Sequence, residues 1–442
     1  MVDTERVLEQ MRAANPAPSL EQLAVDDLDL VRNIVVRERS ATTTPMTEPP
    51  QTRPDLLTPR RRMRPVLVAG LAFILVLGTL GAALLLFRGG GELATEGFAC
   101  PPGSTPDQPG PADQPRPPDY GGLMTFDPGT GQAFMLTRPG GSFWTFDVCT
   151  NTWTAAPGPD AIGAPQDFVY DVDSERAISF GLVDGDEDMG VVDVWAYEPA
   201  TQMWTRKSDW VVGQISEWPG VTLPQVVYDP VTGLVVVREP LISAMWTYDV
   251  DTDTWIEIDQ GTVLPPAVAE SGPHVELLTY DASVDRLILY VASDGAARTV
   301  VGTWEFDIRS GRWEEQETNT PADPNLSFGW WPSGDEFAYD EANQVSVLYS
   351  NGTLATYDAS EHSWTIVQHT DTRSATTRLG FAMTYDPVNE RILVLGGSAR
   401  TSYADVCDRD DVGKGGWCDR DDVIAFDVAG EEWIILLEPT SE

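Results

Sequence analysis

Residues Tyr248-Asp249-Val250-Asp251-Thr252-Asp253-Thr254-Trp255 hold the pattern from which the fold is read: an aromatic, an acid, a short polar stretch, and Trp six positions beyond the acid. The same spacing returns at Phe146-Asp147 with Trp153, Tyr197-Glu198 with Trp204, Phe306-Asp307 with Trp313, Tyr357-Asp358 with Trp364 and Phe426-Asp427 with Trp433. Upstream of each lies another aromatic-acid pair: Phe126-Asp127, Tyr170-Asp171, Tyr228-Asp229, Tyr280-Asp281, Tyr339-Asp340 and Tyr385-Asp386. One unit therefore recurs six times, and self-similarity at a fixed period marks a repeat architecture.

The acids stand where hairpin turns are expected. Asp127-Pro128, Asp229-Pro230 and Asp386-Pro387 combine a side-chain acceptor with a fixed φ at the next residue, the chemistry of a type I turn between two strands. Trp144, Trp195, Trp246 and Trp304 precede their acids by three and the paired aromatic precedes by one, so both lie on one face of an alternating strand. Four strands per unit with aromatic sides cannot shield themselves alone. Six such sheets set radially can, and the expectation is an all-β, six-bladed propeller over residues 123–438.

These residues resemble the kelch family of β-propellers, also seen in the galactose-oxidase-like central domain, over about Leu123 to Leu437. The match is strongest from Tyr385 to Trp433, where Arg391-Ile-Leu-Val-Leu-Gly-Gly397 carries the family's double glycine after the second strand; the other five units lack it. The resemblance implies that a tight turn follows strand two at this glycine pair. It brings no copper chemistry: the three histidines, His274, His362 and His369, show no matching constellation, and His362 is expected at the wrong end of the ring. No nucleophile elbow, phosphate loop or repeated sialidase motif occurs, so a carbohydrate-active enzyme is the lesser reading.

Before the repeats, Val66 to Phe87 is an uncharged apolar run that would span about 33 Å as a helix, the thickness of a bilayer core. Arg60, Arg61, Arg62 and Arg64 precede it, which by the positive-inside rule puts the N-terminus in the cytoplasm and the repeats outside, as in a single-pass plasma-membrane protein. The expected parts are a helical cytoplasmic segment over 1–39, a Thr/Pro-rich linker and basic stop over 40–64, a transmembrane helix over 65–88, and a Pro/Gly-rich linker over 89–122. Within the first, a capping box at Ser19 and Gln22 starts one amphipathic helix over 19–37, a docking element for a cytoplasmic partner or a poorly ordered tail. This order of parts resembles bacterial anti-sigma membrane proteins, and it makes an envelope sensor coupling the two sides an alternative function. The zinc-type motif of that family is missing, because neither His nor Cys occurs before Cys100.

The chain has 28 Lys plus Arg against 69 Asp plus Glu, a formal charge of −41, which excludes a nucleic-acid partner held by its phosphates. Acids and bases balance over residues 1–64, so the whole surplus lies on the outer side. All four cysteines lie there too, and Cys407 with Cys418 and Cys100 with Cys149 form the natural pairs among three connectivities.

Loop length points to a binding face. The links from strand one to two and three to four are short, whereas the longer ones, Gly181–Asp193, Arg206–Gln225, Glu314–Glu336, Val367–Gly380 and Gly397–Asp422, all emerge at the other end. The five tryptophans outside the repeat, Trp210, Trp218, Trp330, Trp331 and Trp417, fall in these longer links. They either pack the loops onto the body or offer indole faces to a glycan or protein ligand. In the last unit Cys407-Asp-Arg-Asp-Asp-Val412 is repeated at Cys418-Asp-Arg-Asp-Asp-Val423. Its six carboxylates, Asp408, Asp410, Asp411, Asp419, Asp421 and Asp422, need either Arg409 and Arg420 or a hard cation such as Ca²⁺ to offset their repulsion. A second acidic stretch, Asp184 to Gly190, begins like an EF-hand loop, but Met189 holds its glycine position.

Overall fold

The structure, a computed structural model, describes residues 98–117, 121–137, 141–159, 162, 164–183, 191–211, 224–240, 243–261, 265, 274–293, 300–318, 335–350, 352–367, 378–400 and 417–439. The expected cytoplasmic helix and the apolar run Val66–Phe87 lie outside these residues, and so do Cys407 and the stretch from Asp184 to Gly190.

Every regular element among them is a β-strand. Blade 1 is β1 (Gly122–Asp127), β2 (Gln132–Thr137), β3 (Phe143–Asp147) and β4 (Thr152–Ala156). Blade 2 is β5 (Ala164–Asp171), β6 (Arg176–Val183), β7 (Val191–Glu198) and β8 (Met203–Arg206), with β9 (Trp210–Val211) added against β7. Blade 3 is β10 (Gln225–Asp229), β11 (Leu234–Glu239), β12 (Ala244–Asp249) and β13 (Thr254–Glu257). Blade 4 is β14 (His274–Asp281), β15 (Arg286–Ser293), β16 (Val300–Asp307) and β17 (Arg312–Gln316). Blade 5 is β18 (Asp335–Asp340), β19 (Val345–Ser350), β20 (Thr353–Asp358) and β21 (Ser363–Val367). Blade 6 has β22 (Arg378–Leu379) and β23 (Ala382–Asp386) both paired to β24 (Arg391–Arg400), then β25 (Trp417–Asp427) and β26 (Glu432–Leu437). Each sheet is antiparallel in sequence order, and the inner strands touch in a closed circle, β1 to β5, β10, β14, β18, β23 and back to β1. The protein is an all-β, six-bladed propeller.

The repeated acids set the register. Asp127 pairs with Gln132 and leaves 128–131 as the connection, and the same interval separates acid from partner at Asp171↔Arg176, Asp249↔Thr254 and Asp386↔Arg391. Each carboxylate folds back onto its own turn: Asp127 Oδ1 accepts from the Gly129 amide at 2.9 Å, Asp249 Oδ1 from Asp251 at 3.0 Å, and Asp386 Oδ1 from Val388 at 3.0 Å. With the residue five beyond the acid paired to the acid, Trp at six falls opposite the aromatic. Tyr248 meets Trp255 with ring centroids 4.5 Å apart, Phe146 meets Trp153 at 4.9 Å, and Tyr357 meets Trp364 at 5.0 Å.

The turns differ from the simple type I expectation in one respect. The fourth residue after every acid has positive φ, so each turn closes through a left-handed residue that lets the strand re-enter antiparallel pairing. Glycine takes this place only at Gly131, Gly233 and Gly311; elsewhere it is Asn151, Glu175, Gln202, Asp253, Asp285, Gln344, His362, Glu390 or Glu431. The double glycine differs too. Gly396 and Gly397 have φ of 61° and 85° and form a bulge, where the register between β24 and β25 shifts, while β24 continues to Arg400. The two ends of the expected loop from Gly397 to Asp422, residues 397–400 and 417–422, are thus strand in β24 and β25.

Alternation along the inner strands places successive side chains against opposite neighbours. Six hydrophobic clusters result, one per seam: Ile178, Phe180 and Val194 of blade 2 pack with Val226, Val235 and Tyr248 of blade 3, for example. A left-handed glutamate stores strain that glycine would not. Replacing Glu175, φ 53°, by Gly is expected to stabilise the chain by about 1 kcal/mol, seen as a higher urea midpoint at unchanged m value.

Candidate functional site

The two ends of the ring are built differently. At the turn end, five tyrosines stand before the acids of the inner strands; the Tyr280 hydroxyl donates to Asp285 of its own turn at 2.9 Å, and three others reach the turn of the preceding blade. Tyr228 accepts from the Asp173 amide of blade 2 at 3.3 Å, Tyr339 from Ser283 of blade 4 at 3.1 Å, and Tyr385 from Ala342 of blade 5 at 3.1 Å. Burial, then the adjacent Asp281 charge, pushes the Tyr339 phenol up to about 12, so it stays neutral at physiological pH. Burial likewise raises the Asp171, Asp281, Asp340 and Asp386 carboxyls, against the turn hydrogen bonds that favour their charge. His362 sits at this end as expected, with Nδ1 3.0 Å from Glu305 Oε1, which also accepts from the Tyr357 hydroxyl at 2.8 Å.

A channel of about 490 Å³ runs between the inner strands. Its lining includes Thr125, Asp167, Val169, Gln225, Thr279, Glu336 and Thr384. Asp167, Gln225 and Glu336 stand four residues before their turn acids, toward the end where the longer connections emerge.

Beneath those connections lie two buried ionic networks. Between blades 3 and 4, Arg238 forks onto Glu276 through Nε at 2.6 Å and Nη2 at 3.0 Å, both side chains fully excluded from solvent. The guanidinium also lies 5.3 Å from the Trp313 ring and donates to Ser243 Oγ, which in turn donates to the Pro265 carbonyl. Gln260 completes the set, accepting from Trp313 Nε1 at 2.7 Å and donating to the Ser243 carbonyl at 2.9 Å. The connection from β13 to β14 is thereby fixed to the body at Gln260 and Pro265.

In blade 6, Asp422 takes both Nη atoms of Arg378, at 2.8 and 2.7 Å, and is also bound by Arg420. Asp421 pairs with Arg116 at 3.2 Å. These two members of the acid-rich repeat are therefore neutralised by arginine, and both lie in β25 rather than in a loop, because the bulged β24 carries the pairing outward. For these two carboxylates, arginine supplies the charge compensation that the acid-rich repeat requires. Among the described residues no group of three or more His, Cys, Asp or Glu is placed to hold a metal ion. Asp419 and Cys418 are known only as backbone in β25, and Asp408, Asp410 and Asp411 lie outside the described residues.

The spare tryptophans are placed by their position in the chain. Trp210 pairs through its backbone with Val192, in the link from β8 to β10, and Trp417 opens β25 opposite Arg400. Trp218, Trp330 and Trp331 lie outside the described residues, in the links from β8 to β10 and β17 to β18. The disulfide joins Cys100 to Cys149. Arg238, Glu276 and Arg378 were not read from the sequence, although a charge interrupting Leu234-Val-Val-Val-Arg238 or His274-Val-Glu276-Leu-Leu278 is a visible sign of a buried pair.

No known protein family and no characterised protein matches the sequence. Solved structures do. A protein of unknown function from Bacteroides thetaiotaomicron aligns with TM-score 0.41 and 13% identity over 65% of this chain and 70% of that one. An auxiliary nutrient binding protein from Bacteroides ovatus aligns with TM-score 0.42 and 12% identity over 62% and 66%. A chain of a nidogen/laminin complex aligns with TM-score 0.40 and 8% identity over 72% and 93%.

Asp422 is bound by two arginines within this end. Arg378 and Arg420 outweigh the cost of its burial and hold the carboxyl at about 2, below its ordinary 3.8. A depressed folded value stabilises fully above pH ~4 and loses that contribution as pH falls through ~2. Asp422→Asn is expected to cost about 3–5 kcal/mol at neutral pH by leaving buried guanidinium uncompensated, and the difference from the native chain should shrink steadily in urea titrations below pH ~4.

Proposed function

We propose that this chain is a membrane-anchored, extracytoplasmic binding module with a kelch-like propeller, which takes a glycan or protein ligand on the end opposite its turns. The observation that carries the reading is the asymmetry of the ring. Every connection at one end spans the same interval and is pinned by its own acid, while the other end carries connections of very different length over a floor of buried ion pairs. Variation confined to one end of a rigid scaffold is the arrangement of a recognition surface. Trp210, Trp218, Trp330, Trp331 and Trp417 all belong to connections of that end and are the proposed ligand contacts, with an indole face suited to the flat apolar side of a pyranose.

The anchor in this reading is Val66 to Phe87, with residues 19–37 on the cytoplasmic side available to a partner. Nothing in the proposal requires turnover.

The full chain, screened against soluble glycans, is expected to bind at least one. Replacing Trp330 and Trp331 by Ala should weaken that binding about tenfold or more, while Ile256→Asp, on exposed β13, should leave it unchanged. Equal affinity in the tryptophan variant would overturn the assigned face, and release of a cleaved sugar would replace the binding module with an enzyme.

A further inference from the structure

A propeller whose blades each use consecutive strands has no exchanged strand to hold its first and last blades together. The seam between blades 6 and 1 also differs from the others: Phe126 stands where the other five blades have tyrosine, so no tyrosine hydroxyl reaches the Asp386 turn. That turn is served instead by Arg391, whose Nε contacts Asp386 Oδ2 at 3.2 Å.

The segment before the first strand covers this place. Phe98 lies against Gly131, where a Cβ would sit 2.1 Å from its ring, and Cys100 is bonded to Cys149 of blade 1. Asn151 of blade 1 donates to the Pro106 and Gln108 carbonyls at 2.7 and 2.8 Å, while Arg391 of blade 6 donates to the Pro106 carbonyl and to Asp107 at 3.2 and 3.1 Å. Farther on, the Gly110 amide donates to the Leu436 carbonyl at 2.8 Å. Gln114 donates to the Asn151 carbonyl at 2.9 Å and accepts from the Trp153 amide, and Arg116 reaches the Glu438 carbonyl and Asp421. The partners thus alternate between the first blade and the last. Cys149 itself is buried in the cluster that joins Phe146 and Trp153 to Leu393, Val423 and Leu436.

We propose that residues 98–117 are a clasp closing the ring across blades 6 and 1, latched by the Cys100–Cys149 disulfide, and that thiol–disulfide exchange at this bridge loosens that seam alone. Cys149 is almost wholly buried, whereas Cys100 is partly exposed, so the attackable sulfur is Cys100 Sγ. A dithiol forms a mixed disulfide there as Cys149 departs as thiolate. Its second thiol then closes the reagent into a cyclic disulfide and frees Cys100, so two cysteines are reduced as one dithiol is oxidised. The bridge spans 49 residues, and its loss returns conformational freedom to the strap and lets the edges of β1, β23 and β26 open.

Hydrogen exchange followed by mass spectrometry on the full chain, with and without dithiothreitol, tests this. Amides of 98–117, β1, β23 and β26 should exchange on the order of tenfold faster after reduction, with those of β10 to β17 unchanged. The Cys100→Ser, Cys149→Ser chain should reproduce the pattern without reductant. Equal acceleration in all six blades, or none, would overturn the clasp. Should the reduced chain unfold, Gln114→Ala with the bridge intact decides: faster exchange confined to the strap and the same three strands supports the proposal, and its absence or its spread to blades 3 and 4 refutes it.

Discussion

Fixed turn length is the constraint from which this propeller follows. An acid at the first position and a left-handed residue four places later make each connection the same, so every hairpin closes in the same register. Side chains alternate with period two, and a slip of one residue would move every aromatic to the wrong face of its sheet. Because the register is held, Trp at six always meets the aromatic before the acid, as Phe306 meets Trp313 and Phe426 meets Trp433, each with centroids 4.9 Å apart. Such a pair contributes about 0.5–1.5 kcal/mol beyond its burial, but its larger effect is geometric: it fills the outer half of each blade with a rigid wedge.

The wedge decides how blades meet. Inner-strand residues one and three before the acid face the preceding blade, and those two and four before it face the next, so each seam is a two-sided apolar layer. Two sets of polar groups cross these seams as matched partners. Tyr357 and His362 meet Glu305 across blades 4 and 5, and Arg238 meets Glu276 across blades 3 and 4. Burying such pairs gains little net stability, yet removing one partner is costly.

Much of this was legible in the sequence because the repeat encodes pairing directly: an acid marks a turn, and the spacing to Trp states the register. The left-handed position was not legible, since Asn151, Glu175, Gln202 and His362 are not the glycine that ordinarily announces positive φ. The glycine pair at 396 and 397 misled for the converse reason, as glycine serves a bulge as readily as a turn. Asp421 and Asp422 could be recognised as an acid-rich repeat, but only pairing with β24 brings Arg378, distant in sequence, onto Asp422.

Charge connects this architecture to recognition. The formal charge of −41 is carried partly by acids with structural partners: those at the turns accept their own amides, and Glu276, Asp421 and Asp422 are bound to arginine. The turn acids cannot be exchanged for lysine without losing the register, so a strongly acidic turn end is a cost of this way of building blades. The longer connections are free of that demand, since neither their length nor their sequence sets a hairpin. The field of so acidic a body disfavours the approach of a polyanion. A neutral polyol, the kind of ligand proposed above, meets no such repulsion.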